Sequence, residues 1–122
     1  STLLKQTEDI HKYDGNLTLK QILDGICSFF NITLDQLKNK SRDGNLTLAR
    51  SIFTYIARTK NKASFPEIAR ILDRKHHGSL LNASKKLKID IINQHYITYK
   101  NKKQLVKILV EKCEEAALKT RY

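Results

Sequence analysis

SFPEIARILDRKHHGSLLNASKK, residues 64–86, decides the fold. Ser64-Phe65-Pro66-Glu67 opens a helix. Ser64 can accept a backbone N–H bond, Glu67 can reach back to the cap, and Pro66 stands where no N–H is needed. Ile68, Ala69, Ile71 and Leu72 then set an apolar face at helical spacing. Asp73-Arg74 breaks the run. Past it come Lys75, His76, His77, Gly78 and Ser79, and then Leu80, Leu81, Ala83, Ser84 and Leu87 at helical spacing again. Two short amphipathic helices, the second led by small polar and basic side chains, form the pattern of a DNA-reading helix-turn-helix. The same pattern suits any two packed helices joined by a short link.

Upstream, Thr18-x-x-Gln21 and Thr33-x-x-Gln36 are two capping-box signals. The first leads a helix carrying Leu19, Ile22, Leu23, Ile26, Cys27 and Phe30, with Asn31 as its stop. The second leads a short helix with Leu34 and Leu37. Lys38 to Asn45 is a basic polar loop with Gly44 at its tip, and a third helix follows from Leu46. That helix buries Leu48, Ala49, Ile52, Phe53, Ile56 and Ala57 and offers Arg50, Arg58, Lys60 and Lys62 on its exposed side. Downstream, the second helix of the central pair extends to about Ile91 or Ile92. Asn101 begins a last helix with Leu105, Ile108, Leu109, Cys113, Ala116 and Ala117 on one face. Residues 1–16 read as a loose or partly helical arm with a turn at Asp14-Gly15-Asn16. No period-two strand pattern is sustained anywhere. The expected fold is all-α: a multi-helix domain with a helix-turn-helix, plus an extra C-terminal helix.

Twenty-three Lys and Arg against twelve Asp and Glu give 122 residues a formal charge of +11, which points first to a polyanion and second to an anionic membrane surface. A merely Lys-rich protein is the bland alternative. No apolar run approaches the ~18 residues of a membrane span and no signal peptide is visible. Cys27 and Cys113, far apart on apolar faces, read as buried free thiols in a reducing cytoplasm, with a disulfide as the open alternative. His11 and His95 lie in segments unrelated to His76-His77, so no metal-ligand spacing arises, and no cofactor is implied. No nucleophile elbow, paired carboxylates or phosphate loop groups the reactive side chains, so the expectation is a protein that is not an enzyme.

The order of elements and three stretches resemble the C-terminal DNA-binding domain of the bacterial replication initiator DnaA, a Trp-repressor-like helix-turn-helix. Ile22 to Leu37, ILDGICSFFNITLDQL, resembles the family's opening helix, its aromatic pair and the short helix after it. Lys38 to Arg50 resembles its basic loop and the start of the next helix. Ser64 to Lys86 resembles its S-[LF]-P-E-I-[AG] start and the signature around R-D-H-T-T-V-[LI]-x-A. Lys75 stands where the family has Arg, and His77 falls on its His. His76 replaces the Asp, Gly78 the first Thr and Ser79 the second, while Leu80, Leu81 and Ala83 keep the apolar frame. The resemblance implies an N-terminal arm (1–17), a DnaA C-terminal-like domain (18–95) and a C-terminal helical extension (96–122). It implies duplex DNA as partner, through a scaffold whose base-reading side chains have changed. It also implies that Arg42, the best match to the basic-loop Arg, enters the minor groove.

Side-chain type assigns the remaining roles. His77 and Ser79 at a helix N-terminus can donate to base acceptors or phosphates, where the helix dipole favours an anion. Gly78 lets the backbone approach a phosphate closely. Lys75, Lys85 and Lys86 are point charges suited to phosphate. Asn82, three residues past Ser79, could pair with adenine. His76, Lys40, Arg50 and Ser64 complete the candidate DNA contacts. Against these stand bland readings: a surface His pair, a solvated cationic face, and an Asn82 that only caps or faces water. Tyr96, Tyr99, Lys100, Lys102 and Lys103 form a basic-aromatic patch, read as packing against the last helix or as a single-strand platform. The leading function is sequence-specific binding of double-stranded DNA. The alternative is a protein-interaction or regulatory module that keeps the scaffold, with the C-terminal helix as a docking or self-association element.

Overall fold

The computed structural model describes residues 17–120. Along them run α1 (Leu19–Phe30), α2 (Leu34–Lys38), α3 (Gly44–Lys60), α4 (Phe65–Ile71), α5 (Gly78–Ile92), β1 (Tyr96–Tyr99), β2 (Lys102–Leu105) and α6 (Val106–Lys119). Of the expected N-terminal arm, only Leu17 falls within the described residues, and it is buried. The rest of that expectation, including the Asp14-Gly15-Asn16 turn, lies outside them.

The three capping boxes form. Thr18 Oγ1 accepts the Gln21 N–H at 3.0 Å while Gln21 Oε1 accepts the Thr18 N–H at 2.9 Å. Thr33 with Gln36 and Ser64 with Glu67 repeat the exchange. Each satisfies two of the backbone donors that a helix start otherwise leaves without partners. Asn31 ends α1 in the left-handed region, at φ 54°. The third helix begins at Gly44, two residues before the expected Leu46, because the Asp43 carboxylate accepts the N–H groups of Asn45 and Leu46 at 2.9 and 3.3 Å.

Helix α3 is the axis of the core: Ala49, Ile52, Phe53, Ile56 and Ala57 are all fully buried. Around it pack Ile22 and Ile26 of α1, Leu37 of α2, Ile68 of α4, Leu80 and Leu87 of α5, and Leu109 and Cys113 of α6. Each large side chain among these contributes about 1.5–3 kcal/mol by leaving water. The C-terminal helix is a full participant in this core. Its apolar face (Val106, Leu109, Val110, Cys113, Ala117) is buried, and it lies against α1 so closely that a Cβ on Gly25 would stand 2.6 Å from the Ala117 nitrogen. Cys27 and Cys113 are both free thiols, and burial pushes Cys113 up to about 12.

One expectation is corrected. Residues 96–105 form an antiparallel hairpin with Tyr96 opposite Leu105 and Tyr99 opposite Lys102, so the last helix starts at Val106 rather than Asn101. Lys100 and Asn101 at its tip have φ of 53° and 63°. Two successive left-handed residues make the tight turn whose twist matches a two-residue hairpin. The Lys-Asn pair lacks the glycine that usually announces such a turn. With only four residues per strand, no longer alternation gives it away.

Candidate nucleic-acid interface

Helix α4 stops because Asp73 turns left-handed, at φ 56°. The Asp73 N–H then donates to the Arg70 carbonyl at 3.2 Å and the Arg74 N–H to the Ala69 carbonyl at 2.7 Å. This paired closure is the Schellman arrangement. The chain reaches α5 through Arg74 to His77, and a three-layer stack sets the angle between the helices. The Arg58 guanidinium lies 4.5 Å above the Phe65 ring. Phe65, the first residue of α4, lies 6.1 Å from the His77 ring at an interplanar angle of 14°. One contact from each of α3, α4 and the start of α5 thus fixes the helix-turn-helix.

The outer side of α5 gathers most of the expected site residues. Lys75, His76, His77, Gly78, Ser79, Asn82, Lys85 and Lys86 are all exposed. At helical spacing Ser79, Asn82 and Lys86 lie along one strip, opposite the buried Leu80 and Leu87. His77 is the N-cap residue but makes no side-chain cap bond. The start of α5, like that of α6, therefore has no side-chain cap on its backbone N–H groups, whereas α1 to α4 all have one. Gly78 has open space around it: a Cβ there would meet nothing within 4 Å.

The basic loop is built by short side-chain hand-offs. Asn39 Oδ1 accepts the Ser41 N–H at 2.8 Å, Ser41 Oγ accepts the Asp43 N–H at 3.1 Å, and Asp43 caps α3. Two guanidiniums brace it from inside. Arg50 donates to the carbonyls of Leu37 at 2.7 Å and Ser41 at 2.9 Å, and also to that of Asn39. Arg74, in the helix-turn-helix connection, donates to the carbonyls of Lys38 at 2.8 Å and Asn39 at 3.0 Å. Both cations converge on one carbonyl oxygen. The brace ties the loop to the turn and leaves Lys40 and Arg42 exposed. Arg42 and Lys86 line a common groove of about 430 Å³, together with Leu48, Leu87 and Ile97.

One expectation changes at this level, and one is met. Arg50 is not on the exposed side of α3: it is 8% exposed, with its donors on loop carbonyls. Burial and then the neighbouring Arg74 charge push its pKa down, opposed by Asp43. A guanidinium held by three carbonyls is a support for the loop. The Ser64 hydroxyl is occupied as a cap, accepting from the Glu67 N–H and donating to Glu67 Oε1, both at 3.2 Å. Arg74 had no signal as a positioning residue, because its partners lie 35 and 36 residues away, and neither had the Arg58–Phe65–His77 stack, which no helical spacing announces. Asp90 is the acidic group beside the strip. Burial alone would raise its pKa, but bonds from His95 at 2.8 Å and Lys86 at 3.3 Å hold it below the ordinary carboxylate value. Among the described residues no group of three His, Cys, Asp or Glu side chains could hold a metal, and no helix is long and apolar enough to cross a membrane.

A family model described as the bacterial dnaA protein helix-turn-helix matches residues 19–87. The chromosomal replication initiator protein DnaA of Lacticaseibacillus casei (strain BL23) is 33% identical over 73 residues, 60% of this chain and 16% of that protein. Its counterpart in Wolinella succinogenes is 32% identical over 84 residues, 69% of this chain and 19% of that protein. That of Campylobacter jejuni subsp. doylei is 30% identical over 104 residues, 85% of this chain and 24% of that protein. The chain thus corresponds to between about a sixth and a quarter of the length of these curated relatives. No solved structure matches it at a significant level. With the matched span running from α1 through α4 and the turn into the first ten residues of α5, the chain belongs to the bacterial dnaA protein helix-turn-helix family and is a DNA-binding module.

Proposed function

We propose that this chain binds double-stranded DNA sequence-specifically, with the first turn of α5 in the major groove and Arg42 in the adjacent minor groove. The observation that carries this reading is the uncapped, exposed start of α5, flanked by the strip Ser79–Asn82–Lys86 and by a basic loop braced to the same turn. His77 and Ser79 donate to base edges or phosphates, Asn82 pairs with an adenine edge, and Lys75, Lys85 and Lys86 hold the phosphate backbone. Lys40 supports the backbone contact. Arg50 acts through the loop it braces, and Ser64 by holding the α4 start. Because His76, Gly78 and Ser79 depart from the family's Asp, Thr and Thr, the preferred site differs from the family's. Residues 18–95 carry the module, and 96–122 extend it with a helix that shares its core. The relatives' name speaks of chromosomal replication initiation, and a role in replication, mobile-element or transcription control in the cytoplasm fits such a module.

Selection from a random duplex library at near-physiological salt tests this. A discrete enriched motif, lost in the His77→Ala, Ser79→Ala double variant, is expected. Enrichment of nothing, with binding that vanishes as salt rises, contradicts it. One observation favours the second reading, a protein-interaction module: Ile89, Ile92 and Tyr96 are 54%, 67% and 55% exposed. An Ile89→Ser, Ile92→Ser variant that keeps full DNA binding separates that surface from the DNA face.

A further inference from the structure

The β1–β2 hairpin lies outside the helix-turn-helix, and its charge is lopsided. Residues 91–110 contain Lys100, Lys102, Lys103 and Lys107 and no Asp or Glu. Three of those lysines sit at the hairpin tip or on β2, all exposed. Its base is anchored on both sides. Gln94 at φ 54° closes α5, with the His95 N–H donating to the Asp90 carbonyl at 2.8 Å, and the Val106 N–H returns to the His95 carbonyl at 3.1 Å. The His95 ring bonds the Asp90 carboxylate. Near the tip, Tyr99 is buried against Phe29 and Phe30 of α1, at ring separations of 5.9 and 5.5 Å. The hairpin is therefore held in a fixed position with all three lysines exposed at its tip: Lys102, opposite Tyr99, and Lys103, opposite Thr98, on the two faces of the ribbon, and Lys100 Nζ 5.5 Å from the Tyr99 ring. Ile97 of β1 lines the same groove as Arg42 and Lys86, which makes the hairpin continuous with the face that carries the basic loop and α5.

We propose that this hairpin is a second DNA-contacting element, with Lys100, Lys102 and Lys103 gripping the phosphate backbone of the duplex on one flank of the site read by α5. The proposal rests on the duplex-binding reading above and adds a contact to it. Duplex is favoured over single strands because stacking needs successive open rings. Tyr99 is buried, so Tyr96, half exposed with Lys103 Nζ 5.4 Å from its ring centre, is the one open ring the hairpin offers. The exposed lysines are point charges, which suit phosphate. Asp90 lies at the hairpin base, where its carboxylate is held by Lys86 at 3.3 Å and hydrogen-bonded to the His95 ring at 2.8 Å. Glu111, the next acidic residue along the chain, lies on α6 at the groove formed with Tyr55 and Lys60.

The test is the salt dependence of duplex binding, with the parent chain and a Lys100→Gln, Lys102→Gln, Lys103→Gln variant. Each phosphate contact contributes about 0.9 to the log–log slope, so the triple variant should lose about 2–3 from it. The motif enriched from a random library should stay the same. Hydroxyl-radical protection should disappear on one flank only. A Lys112→Gln, Lys119→Gln control on α6 removes charge elsewhere and should leave the protection pattern intact. A second measurement needs no variant: shortening the duplex on the protected flank should weaken the parent and barely affect the triple variant. An unchanged slope and footprint in the triple variant overturns the hairpin contact while leaving the helix-turn-helix reading in place. A parent chain with no duplex binding overturns both.

Discussion

Gly78 occupies the first position of α5 with nothing within 4 Å of where a Cβ would stand and no left-handed φ to require a glycine. The folded chain alone therefore gains nothing from it. Gly78→Ala should raise stability by about 0.4–1 kcal/mol, by restricting the unfolded chain, and leave DNA binding intact, because a Cβ there stands in open space. Urea unfolding and a binding titration on the same variant check both halves. Arg50 is the opposite case, a cation consumed by the fold. Arg50→Lys keeps the charge but cannot reach the carbonyls of Leu37, Asn39 and Ser41 together. A loss of about 1–3 kcal/mol in unfolding free energy is expected. DNA affinity should fall with it, because the Arg42 loop loses its brace.

The elements differ in how readily the sequence betrays them. The starts of α1, α2 and α4 were legible because a capping box is local: Thr18 with Gln21, Thr33 with Gln36 and Ser64 with Glu67 sit three residues apart and need nothing else. The outward strip on α5 was legible from the spacing of Leu80 and Leu87. The hairpin was not, since its turn rests on two left-handed residues that are Lys and Asn. Nor was the loop brace, since Arg74 reaches carbonyls 35 and 36 residues earlier in the chain, backbone groups that carry no side-chain signature. At the α1–α6 crossing the deciding residue is Gly25. Gly25→Ala would drive a methyl into the Ala117 backbone, and overpacking of this kind costs about 1–3 kcal/mol. A lowered denaturant midpoint with retained helix content is the expected result. At the α5–hairpin junction, Asp90 is held below its ordinary pKa. Its contribution is fully present above the unfolded carboxyl value, near about 3.9, and is lost as pH falls through the lowered folded value. Parent and Asp90→Asn should therefore differ in stability at neutral pH and converge in acid, as thermal melts across pH would show.

For the whole molecule, the formal charge is +11, and among the described residues Arg42 of the basic loop, Lys86 of α5 and Ile97 of the hairpin line one groove. Such a surface would bind any duplex weakly through its phosphates; selectivity must come from the few side chains at the start of α5. The most direct measurement is a parallel selection from one random duplex library with the parent and with a His76→Asp, Gly78→Thr, Ser79→Thr variant carrying the family's residues. All three positions are exposed, so the scaffold is not at issue. A discrete motif is expected for each protein, differing at the base pairs under the first turn of α5 and alike at the minor-groove flank. The same motif from both, or none from either, would contradict the claim that this turn reads the DNA.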